Sequence, residues 1–300
     1  MQETCDNKVL ITGGAGFIGQ SIAKKFKEAG CTPCLYDIGT PSSKLGNHVK
    51  GDIFDFDLLK DVVDKHDIII HLVGLADAGV AQKDPMKSFK LNIESLNNVL
   101  EACRITRNRK KLIFPSSAGV YGQPEILPIR ENFEAKPMGI YSWHKYICEK
   151  MIRGYHENYG LEYVILRLFN VYGRGNKGVI DVFLKMAKRG ETIKSFGPYQ
   201  YRDFIYANDV AEAFFKSAMY EKANNRIINI GSGKGVQIKD ILDLACEMYP
   251  NAKWVQERKE FPMYDSIADI TLASILLDFK PHASMEFMKK VVREEMMSDL

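Results

Sequence analysis

Apolar residues fall into two alternating patterns over the first two thirds of the chain. Short runs of four to seven buried-type residues, rich in β-branched side chains, read as strands covered on both faces. They are Lys8–Thr12, Pro33–Asp37, Asp67–Val73, Lys111–Phe114 and Tyr163–Arg167. Between them lie stretches with helical spacing. These are Ser21–Ala29, Asp57–Lys65, a long helix opened by Pro85 and running through Asn92 to Cys103, and the segment from Tyr141 onward. Strand–helix repetition of this kind predicts an α/β protein with a Rossmann-type, doubly wound parallel sheet.

From about Asn170 the texture changes. Gly173, Gly175, Gly178, Gly190, Gly197 and Pro198 cut the chain into short pieces. Helices are predicted over Val179–Lys188, Ala207–Tyr220, Ile238–Glu247 and Met285–Glu295, with one more strand at Arg226–Ile230. The expected division is a Rossmann domain over 1–170, with 203–230 returning to it. A smaller C-terminal α/β substrate-binding domain would comprise 171–202 and 231–300.

Composition narrows the function. A near-neutral balance, 41 basic against 38 acidic residues, lacks the basic stripe of a nucleic-acid binder. No apolar run reaches the roughly 18 residues that span a bilayer, and the polar start to the chain is unlike a signal peptide. Cytoplasmic residence is expected. Cys31 and Cys34 form a C-x-x-C pair, but no second pair or nearby histidine completes a zinc set, so no metal site is expected.

Two clusters carry chemistry. Gly13, Gly16 and Gly19 follow the first strand and open the first helix. That spacing lets the backbone turn tightly and lets a pyrophosphate approach amides at a helix N-terminus. Asp37 closes the second strand 18 positions after Gly19. A carboxylate there accepts bonds from a ribose 2′-hydroxyl and repels a 2′-phosphate, which favours NAD over NADP. Gly51-Asp52-Ile53 is placed to meet an adenine edge, and Gly74 lies just past a strand's carboxyl end, where ligands collect in such sheets. The second cluster is Tyr141 and Lys145, four residues apart and so on one helix face. An ammonium beside a phenol should draw the phenol's pKa down towards working pH.

These pieces resemble the extended short-chain dehydrogenase/reductase family, in particular its NAD-dependent nucleotide-sugar epimerases such as UDP-glucose 4-epimerase. The resemblance rests on Thr12-Gly-Gly-Ala-Gly-Phe-Ile-Gly19, Gly51-Asp52-Ile53, His71-Leu-Val-Gly-Leu75, Asn92, Ser116-Ser117-Ala-Gly-Val-Tyr-Gly122, Tyr141-x-x-x-Lys145, Arg167-Leu-Phe-Asn170-Val-Tyr-Gly173 and Arg202-Asp-Phe204, in family order. It implies that Tyr141 is the general base and acid, that Ser117 bonds the reacting oxygen, and that Lys145 binds the nicotinamide ribose. It places cofactor contacts at Gly13, Gly16, Phe17, Ile18, Gly19, Asp37, Asp52, Ile53, Leu72, Val73, Gly74, Asn92, Tyr141 and Lys145. For a nucleotide-diphosphate sugar it proposes Ser117, Asn170, Val179, Phe196, Arg202 and Arg258. Bland alternatives stand beside several of these: Phe196 as a core aromatic, Val179 as an ordinary helix start, Arg258 as a solvated charge. His71 reads as a core hydrogen-bonding residue.

The implied chemistry moves the C4 hydride of the sugar to NAD⁺ and back through a transient 4-ketose. The alternative is net oxidation or keto-sugar reduction on the same fold. Dehydratases of the family place Asp-Glu after the serine, and decarboxylases place Glu where Gly119 stands; here Ala118 and Gly119 follow Ser117. Two positions depart from hexose 4-epimerases: a lysine expected near 76 is Ala76, and Arg258-Lys-Glu-Phe261 replaces Arg-Pro-Gly-Asp. The resemblance also implies a homodimer through a four-helix interface built from the helices around 88–103 and 141–159.

Overall fold

A computed structural model describes residues 7–106, 109–257 and 264–296. In chain order the elements are β1 (Val9–Thr12), α1 (Phe17–Glu28), β2 (Cys34–Asp37), β3 (Asn47–Lys50), α2 (Phe56–Asp64), β4 (Ile68–His71), α3 (Ala78–Lys83), α4 (Pro85–Phe89), α5 (Ser95–Ile105), β5 (Lys111–Ser117), α6 (Ile140–Tyr159), β6 (Glu162–Leu168) and β7 (Asn170–Tyr172). They continue with α7 (Val179–Lys188), β8 (Thr192–Ser195), β9 (Tyr201–Tyr206), α8 (Ala207–Met219), β10 (Arg226–Ile230), β11 (Gly235–Gln237), α9 (Ile238–Met248), β12 (Lys253–Gln256), α10 (Thr271–Leu277) and α11 (Met285–Val291).

Seven strands form one parallel sheet in the order β10-β6-β5-β4-β1-β2-β3. The chain starts in the middle, works outward through β2 and β3, then returns to β4 on the other side of β1. That reversal makes the cleft at the carboxyl ends of β1 and β4 a topological switch point. Period-two alternation sorts the side chains. Val9, Ile11, Ile68 and Ile70 face the layer of α1, α8 and α10, while Leu10 and Ile69 face α2, α5 and α6. Both faces are covered, which is why these strands read as unbroken apolar runs.

Neighbouring lysines show the same alternation in polar form. Lys110 Nζ donates to the Asp64 and His66 carbonyls at the end of α2 (3.0 and 2.6 Å), and Lys111 Nζ reaches the Ala218 carbonyl of α8 (3.4 Å). Each caps the negative end of a helix, on opposite layers.

Two elements differ from the sequence expectation. Helix α1 begins at Phe17 rather than Ser21, because the glycine turn is complete by Gly16, which serves as N-cap. The long helix opened by Pro85 is interrupted by a π-helical turn at Lys90–Glu94. The widened turn holds Asn92 inward, where its side chain bonds both the N–H and the C=O of Leu75 (3.0 and 3.2 Å).

The smaller part contains the sheet β11-β9-β7 and the pair β12-β8, packed against α7, α9 and α11. Of the 203–230 segment, α8 packs on the large sheet and β10 extends it, whereas β9 lies in the small sheet. Ala273, Leu277 and Phe279, within the 231–300 stretch expected to belong to the smaller domain, also join the core of the large sheet. Asp203 ties this region together. Its buried carboxylate accepts from the Ser232 N–H and hydroxyl (2.6 and 2.7 Å), the Gly233 N–H (2.9 Å) and the Ala268 N–H (3.1 Å).

Candidate active site

Two cavities lie along the carboxyl edge of the large sheet and share Gly13, Gly16, Leu72 and Gly74, so they form one continuous cleft. Each holds about 530 Å³, within the range of ligand pockets. The first half is lined by Tyr36, Asp37, Asp52, Ile53 and Val73 among others. The second is lined by Phe17, Ile18, Gly19, Ala76, Pro115, Ser116, Ser117, Tyr141, Lys145, Phe169, Val171, Gly175, Asn176 and Lys177 among others.

The floor between the halves is the glycine turn. Gly13 has φ +73°, and a Cβ there would lie 2.9 Å from the Val73 nitrogen. A Cβ on Gly19 would lie 2.5 Å from the Gly13 oxygen. Only glycine lets turn, helix and β4 close this tightly. No side chain caps α1, so the free N–H groups of its first turn give the dipole's positive end to the cleft.

Asp37 stands at the tip of β2. One of its carboxylate oxygens accepts from the Ala15 N–H (2.9 Å) and the other from the Gly39 N–H (2.8 Å). Each oxygen keeps a lone pair for a ribose hydroxyl. Glycine cradle, open helix end and acid together fit a dinucleotide with an unphosphorylated ribose. Asn92 lies behind the wall rather than on it. It is 2 % exposed, and a Cβ on Gly74 would meet its Oδ1 at 2.6 Å.

In the second half Tyr141, Lys145 and Ser117 come together. The Ser117 hydroxyl accepts from the Gly119 N–H at 3.1 Å and shares the cavity lining with the Tyr141 phenol, whose ionised form it favours. Lys145 is 7 % exposed; its Nζ donates to the Pro115 carbonyl (2.9 Å) and lies 4.7 Å from the Phe114 ring and 5.9 Å from the Tyr141 ring. Burial pushes the phenol up to about 12, opposed by the Ser117 hydroxyl. Burial likewise lowers Lys145 to about 8. Against the expectation that Lys145 draws the phenol down, burial leaves it raised. The ammonium is committed to a carbonyl and an aromatic face, and desolvation outweighs its pull.

The predicted sugar-nucleotide contacts scatter. Ser117 lines the cleft, but Asn170, Val179, Phe196 and Arg202 line neither half. Asn170 donates to the Asp203 carbonyl (2.9 Å). Arg202 is spent on the Tyr201 carbonyl (3.1 Å), Gln200 (3.2 Å), the Tyr264 carbonyl and the Tyr264 ring at 5.3 Å. Val179 and Phe196 are partly exposed, at 36 % and 42 %. Arg258 lies outside the described residues.

In their place the turn after β7 brings Gly175, Asn176 and Lys177 into the cleft. The glycines at 173, 175 and 178 were the visible sign of a loop that must bend there. Among the described residues lining this half, Lys145 and Lys177 are the charged groups, and none is an acid. His71 sits in the core, between Thr12 (2.8 Å) and Ser95 (3.4 Å), and burial lowers it to about 3.

With this geometry in view, residues 9–231 match the NAD dependent epimerase/dehydratase family. The chain is 35 % identical over 253 residues to a putative UDP-glucose 4-epimerase of Methanocaldococcus jannaschii, covering 79 % of this chain and 80 % of the relative. It is 30 % identical over 308 residues to a UDP-N-acetyl-alpha-D-glucosaminuronate decarboxylase of Bacillus cytotoxicus, covering 93 % and 92 %. Among solved structures, the UDP-N-acetylglucosamine 4-epimerase of Methanobrevibacter ruminantium, in complex with UDP-N-acetylmuramic acid, superposes with a TM-score of 0.88 at 27 % identity, covering 99 % and 100 %. The UDP-glucose 4-epimerase of Brucella ovis in complex with NAD gives 0.88 at 29 %, covering 98 % of each chain. The chain belongs to the NAD-dependent epimerase/dehydratase family, and it is an extended short-chain dehydrogenase/reductase enzyme with NAD as its cofactor.

Proposed function

We propose that the enzyme is a nucleotide-sugar 4-epimerase. The observation that carries this reading is the gathering of Tyr141, Ser117 and Lys145 in one half-cleft whose described lining holds no carboxylate. One acid–base group and one hydrogen-bonding hydroxyl suffice to take a proton from the C4 oxygen and to give it back. Dehydration or decarboxylation asks for a further acid–base group. At position 119, where decarboxylases of the family carry Glu, even a Cβ would lie 2.6 Å from the Ser142 hydroxyl, which would have to turn away.

In this reading Tyr141 holds or takes the proton of the substrate hydroxyl while Ser117 orients the same oxygen. Lys145, fixed on the Pro115 carbonyl, keeps a positive charge beside the reacting centre. Bound NAD supplies the hydride acceptor and donor. Lys177, on the opposite side of the cleft, offers its ammonium to the substrate diphosphate. A placed proton-transfer group is typically worth about 10²–10⁴ in rate.

Met86, Phe89, Trp143 and Ile147 lie exposed on α4 and α6, at 78 %, 46 %, 49 % and 39 %. Such a patch supports a homodimer through these helices. Cytoplasmic residence belongs to the same proposal: Cys34, Cys103, Cys148 and Cys246 are free thiols, as a reducing compartment favours, although Cys31 is disulfide-bonded. Among the described residues no helix is long and apolar enough to cross a membrane.

The test is incubation of the protein with UDP-, dTDP- and GDP-sugars without added cofactor, followed by proton NMR and absorbance. Inverted C4 product with no lasting change near 340 nm is expected, and Tyr141→Phe should abolish it while keeping NAD affinity. A stoichiometric absorbance change would instead identify net oxidoreduction.

A further inference from the structure

Three residues of α6 at consecutive helical turns each face one residue at the tip of β5. Tyr141 stands with Ser117 in the cleft lining, where the serine hydroxyl favours the phenolate. Lys145 donates to the Pro115 carbonyl. Glu149, outside the cleft, accepts from the Ser116 hydroxyl. Positions 141, 145 and 149 form a single stripe, so strand tip and helix are registered by all three contacts at once.

The third contact is the most buried and is made by a charge. Glu149 is 2 % exposed, and Arg167 grips it with two parallel bonds, Nε to Oε1 at 3.0 Å and Nη2 to Oε2 at 2.7 Å. Arg167 pairs in register with Ser116 across β5 and β6. Its guanidinium rests 4.6 Å from the Tyr121 ring, whose hydroxyl donates to Asn229 Oδ1 (2.6 Å). Asn229 in turn donates to the Ile129 carbonyl (2.9 Å) and to Glu131 (2.9 Å). The carboxylate is thus bonded to β5 and β6, and through Arg167 it is linked to Tyr121, Asn229 and the 129–131 segment. A buried ion pair is weak support for stability alone, since an apolar pair of similar volume often serves as well.

We infer that Glu149, clamped by Arg167, is a positioning residue of the active site: it registers α6 on β5 so that Tyr141, Lys145 and Ser117 keep their geometry. The inference rests on the reading of Tyr141 and Lys145 as the acid–base pair. Of the Glu149–Arg167 pair, only Glu149 has a resolved effect on Lys145, favouring its charged form. The other titratable groups facing Lys145 are Tyr141 and Cys148 on α6, His71 on β4 and Lys177 across the cleft. His71, at about 3, and Cys148, at about 12, are neutral from pH 6 to 10. Burial lowers Lys145 most, and Cys148 and then Glu149 oppose it; with Cys148 neutral over this range, Glu149 is the carboxylate that favours the ammonium.

The experiment reads Lys145 directly, without needing the substrate. Trace acetylation of the NAD-loaded protein with acetic anhydride from pH 6 to 10, followed by peptide mass spectrometry, gives the titration midpoint of each lysine. Glu149→Gln keeps an acceptor for Ser116 but removes the charge; the Lys145 midpoint should fall by about one pH unit while surface lysines stay fixed. Turnover of an accepted nucleotide sugar should drop roughly tenfold with KM nearly unchanged, as for loss of an alignment felt only in the transition state. The double variant E149M/R167M replaces the pair by apolar groups, should fold with near-native thermal stability, and should show the same lowered midpoint. A Lys145 midpoint and turnover unchanged in both variants, whatever their melting temperatures, would overturn the inference. If the wild type turns over no nucleotide sugar, the proposed function fails, and the Lys145 midpoints still decide this one.

Discussion

Replacing Gly19 by alanine sets two effects of known sign against each other. Gly19 lies in the first turn of α1, where alanine is the better helix former by about 1 kcal/mol. The added methyl, however, would sit 2.5 Å from the Gly13 oxygen, 2.8 Å from the Gly14 Cα and 2.9 Å from the Gly14 oxygen, all backbone atoms. The turn has no room to retreat. The Gly13 N–H is bonded to the Tyr36 carbonyl (2.9 Å), and the Gly13 Cα abuts the backbone of Leu72 and Val73. Overpacking of this kind costs about 1–3 kcal/mol, so sterics should win by up to about 2 kcal/mol. Because the displaced atoms are the turn that cradles the pyrophosphate, NAD affinity should fall by at least about tenfold, or 1.4 kcal/mol. Gly154→Ala is the matched control. Gly154 lies inside α6, and a Cβ there meets nothing within 4 Å, so the same substitution should stabilise by up to about 1 kcal/mol. Thermal melts with and without NAD, and calorimetric titration with NAD, measure both. A Gly19→Ala protein that melts like Gly154→Ala and binds NAD within twofold of wild type would refute the steric argument.

Binding of NAD⁺ should release protons in alkaline solution. The Tyr141 phenol starts at about 12, and a nearby positive ring favours its ionised form, so calorimetry at pH 9 in two buffers of different ionisation heat should show a release that Tyr141→Phe lacks. Lys111, lowered by burial from 10.5 to about 8, makes a second pH prediction. Below pH 8 both folded and unfolded chains carry its proton and the burial cost of about 3 kcal/mol is fully felt; between 8 and 10.5 the folded chain sheds the proton first, and this contribution to stability rises. Lys111→Met should therefore be more stable than wild type in urea melts at pH 7, with the gain fading by pH 10.5; no gain at pH 7 would count against it. Phe89→Glu combined with Ile147→Glu should convert a dimer to monomers in sedimentation velocity, and an unchanged sedimentation coefficient would remove α4 and α6 from the interface.

What could be read from residues alone was whatever depends on local pattern. Strands buried on both faces announce themselves as apolar runs, and Arg226–Ile230 and Val179–Lys188 stand in the structure with the bounds expected of them. The glycine turn was legible because close backbone approach demands glycine, and Asp37 because an acid closing the second strand is a readable pattern; the structure sets both on the cleft. Elements set by long-range pairing were not legible. Tyr201–Tyr206 carries Arg202 and Asp203 among its six residues and gives no apolar run, yet it forms a strand because β7 and β11, whose paired residues lie more than 30 positions away, pair with it. Arg202 shows the same limit at the level of one side chain. A guanidinium suits a diphosphate wherever it is free, and only the fold reveals that Tyr201, Gln200 and Tyr264 already engage it.

The acid–base pair marks the deeper boundary. Spacing alone puts Tyr141 and Lys145 on one face, but spacing is silent on solvent, and solvent decides the sign. In water, an ammonium 6 Å away would favour the phenolate; in this cleft both groups are desolvated, and the phenol moves to about 12 while the amine moves to about 8. Proton transfer between them is thus unfavourable by about four pH units, roughly 5 kcal/mol. Neither group is a ready base by itself. That gap stands with Ser117 already favouring the phenolate and Cys148 and Glu149 already favouring the ammonium. On the proposed 4-epimerase reading, the positive charge of a bound oxidised nicotinamide would favour the phenolate further, and base strength in this site would then be coupled to cofactor redox state.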